Sequence, residues 1–243
     1  MYDEMVTAIL VIQPKRLVFL TNTQDAALPA IRAQIEAGKT PYQQQYVLGP
    51  MVINTNIVVI NAEVSNKRQQ TVDAFQWVDT EILVNADDPA ILHPEFLAAA
   101  PPAFADNKVG FVGTRKWVKR LRLPRDPTAN FFTDLWTRYC QGFWKTIGGL
   151  YLIRHNFEVR STNAAEGGVF CVSGRTSLIR TKIVNDTSFI DAFCNEYILK
   201  IGGISGFGPV KADDDNFDTR RVVKHGYDIK IQYSTEATMT SVF

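Results

Sequence analysis

The sequence predicts an α/β fold in which helices cover both faces of a mostly parallel sheet. Short runs rich in apolar and β-branched residues occur at 17–21 (LVFLT), 57–61 (IVVIN), 81–86 (EILVNA) and 109–112 (VGFV). Each is too short for a helix and nearly continuous in apolar character, the pattern of a strand buried on both faces. Segments of helical length lie between them, and alternation of strand and helix is the rhythm of parallel crossover connections.

The elements follow in order. Residues 2–12 read as a helix with Met5, Ile9 and Ile12 on one face, stopped by Pro14. A second helix is expected at 26–37, ended by Gly38, and a third starts from Ser65 as its cap and runs to about residue 78. Residues 101–127 hold Pro101, Pro102, Pro124 and Pro127 with a basic run at 115–125, and read as a loop-rich connection. Residues 129–158 form one long aromatic-dense helical stretch, with Gly148-Gly149 as a candidate break. A strand at 169–172, helices at 188–200 and 213–224, and a strand at 229–233 complete the reading.

Composition narrows the function. With 46% hydrophobic residues over 243 positions, one sizeable core and a single domain are expected. The net charge of +1 supplies no broad field toward nucleic acid, so no nucleic-acid partner is expected. Cys140, Cys171 and Cys194 are widely spaced with no CxxC, which argues against a disulfide framework or a structural zinc and for a reducing compartment. The longest apolar runs, at 8–12, 57–60 and 150–153, fall well short of a bilayer span, and no signal-peptide pattern is visible. The sequence as it stands reads as soluble or peripheral.

In parallel sheets ligands bind beyond the carboxyl ends of the strands. Asp87 and Asp88 stand at such an end; by themselves they read first as an ordinary Asp-Asp-Pro turn, and they also suit a hard divalent cation that bridges to phosphates. Asp213, Asp214 and Asp215 open a helix, where carboxylates either cap the helix or, positioned against a hydroxyl, accept its proton. Asn66-Lys67-Arg68 puts cations at a helix start, which suits a diphosphate or simply a solvated surface. Gly167-Gly168 and Ser173-Gly174-Arg175 permit tight turns or close approach to a ligand, and Arg180 can meet a phosphate or lie on the surface. His93, His155 and His225 are isolated and read as structural or exposed. No P-loop, Rossmann glycine fingerprint or G-x-S-x-G occurs.

The order of these features resembles the family 2 glycosyltransferases, in particular a fungal polysaccharide-synthase branch related to hyaluronan, chitin and cellulose synthases. The likeness rests on NKRQQ (66–70), NADDP (85–89), VGFVGTRKWVKR (109–120), the stretch 143–181 and ADDDNFDTRRVVKHGYDIKIQ (212–232), and is strongest from about Lys108 onward. It implies a GT-A-like fold, with residues 1–110 as the nucleotide-sugar half and 111–243 as the acceptor half. It implies inverting transfer of a sugar from a UDP-sugar donor to a glycan acceptor, with Mg²⁺ or Mn²⁺ as cofactor. Asp87 and Asp88 then hold the metal, Asp215 is the base with Asp214 beside it, and Lys67 and Arg68 lie near the donor. Gly168, Ser173, Gly174 and Arg180 shape the substrate sites.

The sequence departs from the family pattern in three places. Pro89 stands where a third aspartate is usual, and Thr21-Asn22 stand where an acidic residue meets uracil. The family's first strand is absent, and its Gln-x-x-Arg-Trp motif and membrane helices would lie beyond Phe243. A fragment, a truncated gene model or a degenerate paralogue is therefore expected, with impaired catalysis. The alternative is an inactive nucleotide-binding or docking module; a nucleotidyltransferase is disfavoured because no glycine-rich loop follows a first strand. In a parent enzyme the catalytic domain would be cytoplasmic and membrane-associated, with the aromatic stretch 131–151 meeting neighbouring helices or the bilayer interface, or packing in the core.

Overall fold

A computed structural model describes residues 2–22, 55–62, 66–87, 90–120, 125, 128–198, 206–210 and 213–242. Helix α1 (Tyr2–Val11) leads into β1 (Arg16–Asn22), which pairs in parallel with β2 (Asn56–Ala62). The helix expected at 26–37 and its Gly38 stop lie outside the described residues. Helix α2 (Lys67–Phe75) is capped by Asn66, whose side chain accepts from Gln69 N at 3.5 Å. Ser65, the expected cap, lies outside the described residues.

Strand β3 (Ile82–Ala86) is followed by the short β4 (Ala90–Leu92), helix α3 (Phe96–Ala99), a 3₁₀ turn (Pro101–Ala105) and the long β5 (Val109–Lys119). The basic stretch after Gly113 is thus strand where a loop was expected. The reason is a partner distant in sequence: β8 (Thr238–Val242) pairs with it in parallel from Arg115 to Lys119. Helix α4 (Phe131–Glu166) passes through Gly148-Gly149 without a break. Gly149 is buried against β5, where a Cβ would sit 3.6 Å from Val118, so the small residue allows close helix–sheet approach. Asn130 caps the start by accepting from Thr133 N at 2.8 Å, and Gly167, at φ 73°, ends the helix in the left-handed region.

The strand expected at 169–172 is not there. Val172 N donates to Thr219 Oγ1 at 2.9 Å instead of joining a ladder, and the strand is β6 (Thr176–Arg180), fully buried between β3 and β5. The short α5 (Thr181–Val184) follows, then α6 (Thr187–Cys194), which is shorter than the 188–200 expected. Helix α7 (Asp214–Lys224) and β7 (Asp228–Gln232) precede β8.

Strands β3, β5, β7 and β8 run the same way, while β4 and β6 are antiparallel to them. Side chains alternate across this sheet: Val112 and Leu178 enter a core with Phe96 and Met239, whereas Phe111 and Ile179 enter one with Phe189, Phe193 and Phe217. Both faces are covered, as the apolar strands demanded. The α/β expectation holds, with a mixed sheet.

Candidate donor and acceptor site

The site forms at the carboxyl end of β3. Asp87 leaves the strand there, and its N–H donates to Arg175 O at 3.0 Å. Helix α2 begins nearby and turns Lys67 outward, half exposed. The Lys67 ammonium lies 3.4 Å from Asp87 Oδ1 and 3.1 Å from Asp214 Oδ2. One cation thus joins two carboxylates 127 residues apart in the chain. Asp215, the next residue on α7, accepts from Gly174 N at 3.2 Å through Oδ2 and from Asn216 N at 2.9 Å through Oδ1. A Cβ on residue 174 would sit 3.3 Å from Asp215 Cβ, so glycine lets the turn approach this carboxylate. Gly174 and Arg175 are consecutive, so one turn touches both Asp87 and Asp215.

Charge explains the titration of the cluster. Burial alone would lower the Lys67 pKa, but the charges of Asp87 and Asp214 and their hydrogen bonds outweigh it and raise it above the ordinary value. Asp87 is also raised: burial comes first, and the Asp214 charge adds to it, together exceeding the pull of Lys67. An isolated ion pair would depress the acid. Here one ammonium serves two carboxylates, leaving the trio net negative.

The backbone holds α7 in an unusual start. Asp213 sits at φ 63°, in the left-handed region that costs a non-glycine residue roughly 1 kcal/mol or more. Arg68 braces it. Expected at the donor, Arg68 is instead 1% exposed and lies within cation–π distance of Phe193 and Phe217. It donates to Phe193 O at 2.9 Å and Asp213 O at 3.0 Å, and pairs with Glu196 at 2.7 Å. This corrects the expectation: a step of one residue on a helix turns the side chain about 100°, so Lys67 faces Asp87 and Asp214 while Arg68 faces the core.

Arg180 is corrected likewise. β6 starts beside Asp87 and runs antiparallel to β3, so residue 180 ends about 17 Å from residue 175 at the rise of a strand. There Arg180 donates to Val109 O at 2.8 Å and Phe104 O at 2.7 Å and pairs with Glu81 at 2.5 Å. It ties the sheet's opposite end together. Gly168 follows the helix cap near Ile229, and no described contact links it to the aspartates. Ser173 is in the turn, its Oγ accepting from Arg175 N at 3.4 Å. Asp88 lies outside the described residues.

Sequence reasoning missed two neighbours, Asp218 and Lys116, and named Arg175 only as part of a turn. Asp218 lies one turn after Asp214 on α7, a spacing that marks a shared face; burial, then the charges of Asp214 and Asp215, push its carboxyl well above the ordinary value. Lys116 follows buried Thr114 by two positions on β5, and burial lowers its pKa to about 8. Arg175 reaches Ser241 Oγ at 2.7 Å and anchors the turn to β8.

The donor set can be tested against a divalent cation. Mg²⁺ and Mn²⁺ take oxygen from one or two carboxylates and leave other positions to phosphates and water. A net-negative cluster with Asp87 at a strand end fits that demand. Among the described residues no group of three acidic, His or Cys side chains is placed to close a cage, so phosphate oxygens would be needed to complete the coordination.

Residues 1–243 match the family described as "Glycosyltransferase like family 2". The chain is 34% identical over 189 residues to a type 2 glycosyltransferase of Pyricularia oryzae, covering 76% of this chain and 34% of that protein. A Gibberella zeae protein of the same name is 33% identical over 193 residues, covering 78% of this chain and 32% of that one. This chain thus spans about a third of the length of these relatives. The solved mannosyltransferase PcManGT of Pyrobaculum calidifontis, in complex with GDP-Man and Mn²⁺, superposes with a TM-score of 0.51 at 17% identity, over 99% of this chain and 52% of that one. That likeness establishes a shared GT-A-like fold. With its full length matched, this chain belongs to glycosyltransferase family 2.

Proposed function

We propose that this chain is the sugar-nucleotide-binding and transfer region of an inverting glycosyltransferase, moving a sugar from a UDP-sugar to a glycan acceptor in polysaccharide synthesis. The observation that carries the reading is the meeting of Asp87 and Asp214 on Lys67, with Asp215 held one residue further along by Gly174. Lys67 would face the donor diphosphate. Asp87, with Asp88, would hold Mg²⁺ or Mn²⁺ against it, and the bound cation would offset the charge of the leaving diphosphate. Asp215 would accept the acceptor hydroxyl's proton as its oxygen bonds to the anomeric carbon and the bond to the diphosphate breaks. Attack from the face opposite the leaving group inverts the centre. Gly174 N and Asn216 N hold the Asp215 carboxylate in one orientation, which such a base requires.

The same protein would meet a membrane through α4. Its outward face exposes Phe132, Trp136, Tyr139, Trp144 and Tyr151. A row of exposed Trp, Tyr and Phe suits the bilayer interface. No described helix is long and apolar enough to cross a membrane.

The test is UDP release from UDP-sugars by the longest expressible form, native against Asp215→Asn. A fall in turnover of about a hundredfold or more with donor binding retained supports the assignment. Equal turnover removes Asp215 from the role of base. Absence of both turnover and metal-dependent UDP binding in a folded native chain favours the inactive docking module.

A further inference from the structure

Lys116 takes no part in the transfer proposed above, yet it is a buried charge next to the base. It is 3% exposed, and α4 fixes its backbone: the Asn156 side chain accepts from Lys116 N at 3.0 Å and donates to Lys116 O at 2.6 Å. Among the described residues no acceptor lies within hydrogen-bond distance of its ammonium. The residue before Asn156 shares this deficit. His155 Nε2 is buried without a hydrogen-bond partner, and its ring lies edge-on to Phe170 at 5.7 Å. From Phe170 the chain passes through buried Cys171 to Val172, whose N–H donates to Thr219 Oγ1; that hydroxyl donates to Asp215 O at 2.7 Å. These contacts bring β5 and α4 up to the helical turn that carries Asp215.

The surrounding charges distinguish two sides of Asp215. Arg175 and Asp215 act on Lys116, while Lys116, Glu158 and Asp215 act on His155; Asp87, Asp214 and Lys67 are not among them. The donor-side trio of Lys67, Asp87 and Asp214 is net negative and suits a cation. The other side is short of anions. Burial, then the Lys116 charge, pushes the His155 pKa below its ordinary value, so the imidazole is neutral at pH 7. Cys171, its thiol pushed up to about 12 mainly by burial, is neutral as well. Arg154 holds Glu158 at 2.7 Å, and Gly174 N and Asn216 N hold the Asp215 oxygens. An ammonium removed from water without a hydrogen-bonded counter-charge is destabilising, so its partner is to be sought in a ligand.

We infer that Lys116, with His155, forms a subsite for a carboxylate on the acceptor: the glycan that offers its hydroxyl to Asp215 carries a uronic-acid sugar at or next to its reacting end. The inference rests on the proposed function, because Asp215 as base is what makes this the acceptor side. The Lys116 ammonium would pair with the carboxylate, and His155 Nε2, as the N–H of a neutral imidazole, would donate to its second oxygen. One ammonium matches one negative charge, and Arg175 is turned to Ser241 Oγ at 2.7 Å, which favours a carboxylate over a phosphate dianion. A neutral sugar would leave the ammonium unpaired, so the same residue would reject neutral acceptors.

Calorimetry on the full chain at pH 7 compares glucuronate-ended and galacturonate-ended trisaccharides, each with its methyl ester, in the native protein and Lys116→Met. The ester keeps the sugar and removes only the charge. Circular dichroism checks the fold, and Lys116→Gln replaces the methionine variant if that one is disturbed. Native binding of at least one free acid about tenfold or more tighter than its ester, with the preference gone in the variant, supports the inference. Equal binding of acid and ester by the native chain overturns it. So does binding of neither, or a preference that survives in the variant. UDP-glucuronate against UDP-glucose, with Mn²⁺, forms a second arm. A Lys116-dependent preference there instead would put the carboxylate on the donor sugar and overturn the acceptor assignment. Mn²⁺-dependent UDP binding without any preference for an acid removes this subsite alone, whereas loss of UDP binding as well removes the enzymatic reading.

Discussion

Replacing Arg68 by methionine tests whether the site is held from beneath. The guanidinium is 1% exposed, and it serves Phe193 O, Asp213 O and Glu196 from one planar group that also lies against two phenyl rings. Hydrogen bonds to a charged group are worth about 1.5–3 kcal/mol each, and breaking a buried ion pair from one side costs about 3–5 kcal/mol. Methionine fills much of the volume, and Arg220 still pairs with Glu196 at 2.5 Å, so the lower half of that range applies, about 3–4 kcal/mol. For a chain of this size each kcal/mol moves Tm by about 2–4 °C, giving a fall of about 6–16 °C. Thermal and urea unfolding of Arg68→Met and Arg68→Lys measure it. Lysine should recover less than half of the loss, because a single ammonium cannot meet two carbonyls and a carboxylate in one plane. A loss below about 1 kcal/mol for methionine would refute the argument that Arg68 braces the start of α7.

Other outcomes follow from the same contacts. Gly110→Ala should destabilise by about 1–3 kcal/mol in urea melts, since a Cβ there would lie 2.6 Å from Tyr227 Cβ and 2.9 Å from Ile183 Cδ1. The folded-state pKa of Asp218 is raised, so its contribution is fully present below the unfolded value near 4 and is lost as pH rises through the folded value; Asp218→Asn should therefore gain in Tm over the native chain progressively above about pH 4. Lys116 has the opposite sign: its folded pKa of about 8 lies below the ordinary 10.5, so Lys116→Met should stabilise at neutral pH and lose that advantage between about pH 8 and 10.5. Cys171, its thiol pushed up to about 12 mainly by burial, should resist iodoacetamide at pH 8 until the chain unfolds. Phe132→Ser with Trp144→Ser should abolish co-sedimentation with anionic vesicles if α4 is the membrane-facing surface.

Much of the fold was legible because its signals are local. Buried strands announce themselves as short apolar runs, and Lys67 and Asp87 stand where a helix start and a strand end must be. What escaped depended on partners distant in the chain. Lys116 and Trp117 read as loop because their ladder partner, β8, lies more than a hundred residues on. β6 was displaced because the apolar run at 169–172 looks more like a strand than TSLIR does, and only Thr219 explains why Val172 pairs elsewhere. Arg180 was sought at the cleft because residue order does not reveal that β6 runs antiparallel and carries its end away. Arg68 was sought at the donor because adjacency to Lys67 in sequence hides their divergence on the helix.

The central claim is that Asp87, Lys67 and the Asp214–Asp215 pair surround one metal-bound diphosphate. Calorimetry of UDP binding, with and without Mn²⁺, on the native chain, Asp87→Asn and Lys67→Met addresses it most directly. Binding that requires Mn²⁺, and weakens at least about tenfold in both variants while their folds persist, is the predicted result. Metal-independent binding of equal strength in all three proteins would contradict it.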